Sequence, residues 1–239
     1  MTKQNLTQSI AYMALLGLLW LNGWLGQTYT KTQTNELTLS VPAHSSFINL
    51  AFLGEKMAAA YSLLLHVQTI DAGTGIALRK LNYFEVLPWL RAAQTLNPNS
   101  GYGLLMASRL FAEIADERKP KAEQHAQQQA MLDFVADEFA KSPNIHWPWM
   151  SHAVYVARHR MQDQTLALLY ARQLRAATTT PPTPHWARQM EVFVLEDMNE
   201  LDAAKVLLGG LLESGQYQDE RDFALMSQRL AEMSRRQQK

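Results

Sequence analysis

The chain has 239 residues, enough to bury the core of one domain or of two small ones, and its 47% apolar content argues against disorder. Its 22 Lys+Arg balance 22 Asp+Glu, so no global positive field recruits nucleic acid, and any function that depends on charge must be local. Cysteine is absent, which excludes disulfide staples, thiolate metal sites and thiol catalysis.

Residues 1–9 are polar, with the single charge of Lys3, and residues 10–26 (IAYMALLGLLWLNGWLG) then run for 17 positions without a charge. Hydropathy marks this as a membrane-targeting stretch, either a cleaved signal or a retained anchor. The run exceeds a usual signal core, Trp20 and Trp24 sit where an interfacial aromatic belt would lie, and no small-x-small cleavage site follows. These features favour a single-pass anchor over residues 1–27. The expected placement is a bacterial inner membrane, with the amino terminus cytoplasmic and the remainder periplasmic.

Residues 28–46 begin as a tether of threonines and glutamines. Leu37, Leu39 and Val41 then alternate with Thr38 and Ser40 before Pro42, a short strand pattern with no evident sheet partner. It reads as an extended segment packed on a helix or as an edge that pairs with another protein's sheet.

From Phe47 the periodicity is helical. Leu50, Leu53, Met57, Ala60 or Tyr61, Leu64 and Val67 recur at steps of three and four, which predicts one helix with these residues on its buried stripe. A second helix is expected over 83–96, with Pro88 tolerated only in the first turn or at a kink. Leu96-Asn97-Pro98-Asn99 forms a corner, and a third helix from Tyr102 places Leu104, Ala107, Phe111 and Ile114 on one stripe, with Tyr102, Arg109 and Glu113 on the other side. The fourth helix, 122–140, opens with Gln124-His125-Ala126-Gln127-Gln128-Gln129, a run too polar for burial, and Lys141-Ser142-Pro143-Asn144 ends it. A fifth helix over 149–161 sets Met150, Ala153 or Val154, Ala157 and Met161 against His152, Tyr155 and His159. A sixth covers 165–177, and the threonine- and proline-rich run 178–184 is a stiff connector. Residues 186–197 and 201–214 form a helical hairpin closed by Gly215, and a final helix from Asp219 caps the apolar end with Phe223, Met226, Leu230 and Met233.

Corners at Pro98, Pro143 and Pro184 recur at spacings of 45 and 41 residues, each enclosing two helices, which is the signature of a solenoid. Leu96-Asn97-Pro98-Asn99 resembles the proline corner of a tetratricopeptide repeat. Glu191 to Gly215 resembles the end of a first helix, a turn and a second helix, with Ala203 and Ala204 at the close-packing position. The spacing exceeds the family's 34, and Gln189-Met190 replaces its Leu-Gly pair. Trp186-Ala187-Arg188-Gln189-Met190 and Leu195-Glu196-Asp197-Met198-Asn199-Glu200-Leu201 are also similar to segments of membrane-anchored tetratricopeptide-like proteins of proteobacteria. The implied fold is all-α: a solenoid of about seven to eight helices over 47–215, after a transmembrane helix and a short extended segment, with a capping helix at 216–239. Such arrays hold a partner protein in a groove lined by the first helix of each pair. The resemblance therefore implies partner contacts from Tyr102, Arg109, Glu113, Trp149, His152, Tyr155, His159 and Arg188.

Motifs for chemistry are sparse. His152 and His159 lie seven apart on one helix, roughly 10 Å, too far to share a metal without a third ligand. No nucleophile elbow, dinucleotide loop or phosphate-binding loop occurs, and Gly209-Gly210 inside a helix reads as a site of close packing. The adjacent acids Glu196-Asp197 and Asp137-Glu138 diverge on a helix and read as solvated. Trp147-Pro148-Trp149 reads as corner packing or as a binding hot spot. Charge is zoned: residues 191–222 carry nine acids and two bases, and residues 141–175 five bases and one acid, which fits pairing between neighbouring units or steering of a partner. The expectation is a non-catalytic scaffold for an envelope protein complex, without cofactor, metal or nucleic acid. A stable accessory subunit of such a complex is the alternative, and a ligand-binding or enzymatic helical domain has no positive feature.

Overall fold

A computed structural model describes Met13, Leu16, Gly17, Trp20 and residues 39–239 apart from 115, 117, 178–182, 216–218 and 238–239. The chain divides into Met1–Leu37 and a body, Thr38–Lys239. In the first unit the four described residues are helical and exposed. The rest of the expected anchor, 10–26, lies outside the described residues, as do Leu37 and Thr38 of the strand pattern. No single helix among the described residues is long and apolar enough to cross a membrane.

The body is all-α, with no strand among its described residues. Leu39 to His44 have no regular structure, and two hydrogen bonds replace a sheet partner: the Leu39 N–H donates to Glu85 Oε2 at 2.7 Å, and the Trp89 indole N–H donates to the Ser40 carbonyl at 2.9 Å. The segment is thus an extended strap on a helix.

The single helix expected after Phe47 is two, α1 (Ser45–Ala51) and α2 (Lys56–Gln68), bent by 107°. Leu53 and Gly54 both take positive φ, and the turn closes with the Gly54 N–H on the Asn49 carbonyl. The bend also undoes the expected stripe. Leu50, Leu53 and Met57 are exposed, and the buried face of α2 is Ala59, Ala60, Leu63, Leu64 and Val67.

A short α3 (Ile70–Thr74) ends at Gly75 in the left-handed region, and a 3-10 turn over Leu78–Lys80 leads to α4 (Tyr83–Leu96). Asn82 caps α4 through its side chain, which accepts the Phe84 N–H. Pro88 lies past the first turn, so the Phe84 carbonyl loses its helical donor; Phe84 is on the exposed side.

The third helix starts as α5 (Tyr102–Leu105) and widens into a π segment, Met106–Ala112. Its wider turns carry the stripe out of phase. Leu104, Ala107 and Phe111 are fully buried as expected, but Met106 and Ser108 join them and Ile114 is exposed.

Helix α6 (Lys121–Lys141) also differs from expectation, because Gln127 and Gln128 are buried. Their amides are satisfied. Gln127 Oε1 accepts from the Tyr83 N–H and from Lys119 Nζ, and Gln128 Nε2 donates to the Ala112 carbonyl at the end of the π segment. A buried amide that keeps its hydrogen bonds costs little, whereas an orphaned helix-end carbonyl would cost more.

Helix α7 (Pro143–Tyr155) places Pro143 in its first turn and ends in a second π segment, Val156–Arg160; α8 (Gln164–Ala177) follows. The expected 186–197 helix is broken at Gln189 into α9 (His185–Arg188) and α10 (Met190–Asp197), followed by α11 (Leu201–Glu213) and α12 (Glu220–Gln237). Packing follows chain order: α2 on α4, α4 on α6, α6 on the first π segment and α7, α7 on α8, α8 on α10, α10 on α11, and α11 on α12. A Cβ at Gly209 or Gly210 would meet nothing within 4 Å, so these glycines do not mark close packing.

Candidate functional site

The Pro98 corner is a joint. Gln94, buried on α4, donates from Nε2 to the carbonyls of Pro98 (2.8 Å) and Ser100 (3.1 Å). His146, buried on α7, places Nε2 3.0 Å from the same Pro98 oxygen, which fixes the proton on that nitrogen because a carbonyl only accepts. Trp149 presses on Gly101, where a Cβ would collide with its indole Nε1. The other tryptophan of the Trp147-Pro148-Trp149 run meets Trp186 edge-on, with ring centroids 5.7 Å apart. Both indoles therefore make internal contacts.

Outside this joint, the two π segments bring the best candidate surface together. The Glu113 N–H bonds back to the Ser108 carbonyl and the Met161 N–H to that of Val156, each spanning five residues rather than four. Across α7 and the second π segment the rings of His152, Tyr155 and His159 form a column: centroids are 5.6 Å apart and nearly parallel in the first pair, 5.1 Å apart and tilted in the second. Tyr155 and His159 are exposed. Glu113, from the end of the first π segment, joins this column to the second. Its Oε2 lies 3.2 Å from His152 Nε2, an ion-pair distance off the hydrogen-bond line, and its Oε1 accepts from Arg160 Nη2 at 3.0 Å.

Burial dominates the electrostatics of His152. Desolvation pushes its pKa below the ordinary histidine value; Glu113 opposes the shift, and Arg109 and Arg160 reinforce it. His152 is therefore a neutral ring at pH 7, a stacking surface rather than a cation. The Arg158 guanidinium donates to Asp197 and holds that carboxyl below its usual range. Arg229 clasps the neighbouring Glu196 with two hydrogen bonds, at 2.6 and 2.9 Å. Arg172 and Arg175 pair with Glu191, itself only 5% exposed. The basic zone and the acidic zone of the sequence thus meet across neighbouring helices, and Glu196 and Asp197 are paired, not solvated. Asp137 pairs with Arg91, and Glu138 is buried against Lys141.

Of the residues expected to face a partner, Arg109, Glu113, His152, Tyr155 and His159 are brought together. Tyr102 is not among them: its hydroxyl meets Gln68 Oε1 at the end of α2, with its ring beside Tyr61. Trp149 belongs to the corner, and Arg188 is 6% exposed on the short α9. Arg160 was missed, although the Arg158-His159-Arg160 run carried its signal. Sequence reasoning also missed a polar knot beneath α4. There Lys119 Nζ donates to the Leu81 carbonyl and Gln127 over the face of Tyr83, whose hydroxyl burial pushes up to about 12. Among the described residues no group of three or more His, Asp or Glu could hold a metal ion. No known protein family, curated protein or solved structure matches the chain.

Proposed function

We propose that the chain is a membrane-anchored helical-repeat scaffold that captures another protein on the surface formed by its two π-ended helices. The observation that carries this reading is the His152–Tyr155–His159 column, a run of aromatic rings ending in solvent and flanked by Arg160 and Glu113. Tyr and Arg supply large, ordered contact area at modest entropic cost, which is why binding energy concentrates on them. Helices that pack in chain order, and corners that recur at similar spacing, support an array of the tetratricopeptide type. The uncharged stretch 10–26 supports the anchor, with the body beyond an inner membrane. The role is non-catalytic, with assembly or retention of an envelope protein complex as the process.

The test compares the full chain with its Tyr155→Ala/His159→Ala variant, both purified from native membranes in mild detergent. The expected result is a partner that co-purifies with the wild type and is lost from the variant, with the two melting temperatures within a degree or so of each other. His152 is left in place because its side chain is mostly buried. Equal capture by both proteins rejects this surface. Absence of any partner, together with a small molecule that raises the melting temperature, rejects the scaffold itself.

A further inference from the structure

The bent pair α1–α2 has one face on the core and one with no neighbour among the described residues. Ala59, Ala60, Leu63, Leu64 and Val67 occupy the inner face of α2, and α2 packs on α4. On the outside, Phe47, Leu50, Leu53, Met57 and Leu65 are 71, 71, 92, 61 and 58% exposed. Scattered apolar residues are ordinary on a surface, but five large ones within 19 residues form a patch that water disfavours. Charge is nearly absent from the same stretch: between residues 39 and 70 only Glu55 and Lys56 are formally charged. The most exposed of the five, Leu53, sits at the tip of the bend with φ 53°, a backbone region that bulky residues avoid. A tip built this way presents a leucine outward, in a turn closed by the Leu53 N–H on the Leu50 carbonyl and the Gly54 N–H on that of Asn49.

We infer that this face lies in the interfacial layer of a lipid bilayer, as a second membrane contact beside the anchor. The inference rests on the anchor reading for its geometry. The 17 residues between Gly26 and His44 can span at most roughly 60 Å, so a body tethered to residues 10–26 keeps α1 within reach of the membrane surface. The two helices have the apolar composition of a span when taken together. With 7 and 13 residues and a 107° bend they do not form one straight helix of about 20 residues, and because the inner face of α2 stays packed on α4, the contact that suits the outer face is to lie along the interface. One acid against one base gives no preference for anionic lipid; the contact is apolar, and zwitterionic vesicles suffice. The consequence is orientation: a body held at two points presents its ring column at a fixed height above the membrane instead of swinging on a tether.

The absence of native cysteine makes the test direct. Leu50→Cys, Leu53→Cys and Met57→Cys are introduced singly into the full chain, labelled with a nitroxide and reconstituted in phosphatidylcholine vesicles. Collision rates with oxygen and with a water-soluble nickel chelate are then measured. Val206→Cys on α11, where the valine is 78% exposed, serves as the aqueous reference, and Leu16→Cys reports on the anchor. The expected oxygen-to-nickel ratio at Leu50, Leu53 and Met57 is several-fold above that at Val206, with unchanged helical circular dichroism. Free access of nickel to these positions overturns the inference. So does protection from both reagents, which would mean that protein covers the face, whether a second copy, another partner or residues 10–26 of the same chain. A lipid signal at Leu16 with an aqueous one at Leu53 removes the second contact and keeps the anchor. A lipid signal at Leu53 with an aqueous one at Leu16 keeps the contact and removes the anchor.

Discussion

The helices from α4 to α8 and the closing pair α11–α12 are both rich in leucine, alanine and methionine, yet they bury these residues differently. In the centre, Leu90, Leu104, Phe111, Met131, Phe134, Val154 and Leu174 have no exposed surface, because each helix is covered on two sides. In the closing pair the buried residues are Ala204, Leu208, Met226 and Met233, joined by Val192 and Leu195 of α10, while several leucines are only partly covered and Val206 and Leu225 face water. The difference is positional as well as compositional, α12 being the more polar of the pair. A central helix receives a neighbour from each direction, whereas α12 packs only on α11, so the apolar residues that α11 and α12 share are covered from fewer sides.

Removing a side chain from each region breaks the comparison most sharply. Phe134→Ala is expected to cost about 3–5 kcal/mol, since the cavity it leaves is walled by fully buried neighbours, and Leu208→Ala about 2 kcal/mol, since partly covered leucines can close over the gap. Chemical denaturation of the two variants measures both; equal losses would show that the ends are packed like the centre. Next in size is Gly101→Ala, which drives a methyl into the Trp149 indole and should cost about 1–3 kcal/mol. The matching change in the closing pair, Gly210→Ala, meets open space within a helix and should gain about 0.5–1 kcal/mol. Thermal melts that show the same sign for both would contradict the contrast between a filled joint and an open one.

The smallest effect is a pH dependence. His152 holds its pKa below the ordinary value because burial disfavours its cation. Above pH 6.5 the ring is neutral in both folded and unfolded chains and contributes nothing to the slope. As pH falls below 6.5, the unfolded chain takes up the proton first, so stability declines until the pH has passed the lowered folded value. Melting temperatures of the wild type and of His152→Gln, followed from pH 8 to pH 5, should therefore diverge only below 6.5, with the wild type losing more. A constant offset across the range would show that the ring acts through packing alone.

Much of the helical plan was legible. Residues 83–96 form the helix that their periodicity describes, the Pro98 and Pro143 corners end helices as a proline should, and the oppositely charged zones pair across neighbouring helices. The five residues that meet near the column could be found because helical spacing places His152, Tyr155 and His159 on one face. What was hidden has physical causes. The bend at Leu53 depends on a non-glycine residue with positive φ, which no pattern rule anticipates. Burial of Gln127 and Gln128 depends on partners 44 and 16 residues away, which local polarity cannot register. The π segments shift the phase of a stripe within one helix, so Ile114 leaves the core although a fixed period of 3.6 places it there. Arg188, drawn into the groove by resemblance, is buried because α9 is short and breaks at Gln189.

The adjacent carboxylates Glu196 and Asp197 reach in opposite directions, one to Arg229 on α12 and the other to Arg158 on the second π segment. Mechanically they act as a two-ended clasp: one turn of backbone at the end of α10 connects the final helix to the helix that bears the ring column. Ionic clasps loosen as salt screens them, whereas the apolar centre does not. Raised ionic strength should therefore free α12 to amide exchange before any central helix opens, and the surface beside Tyr155 should be the first part of the centre to register that release.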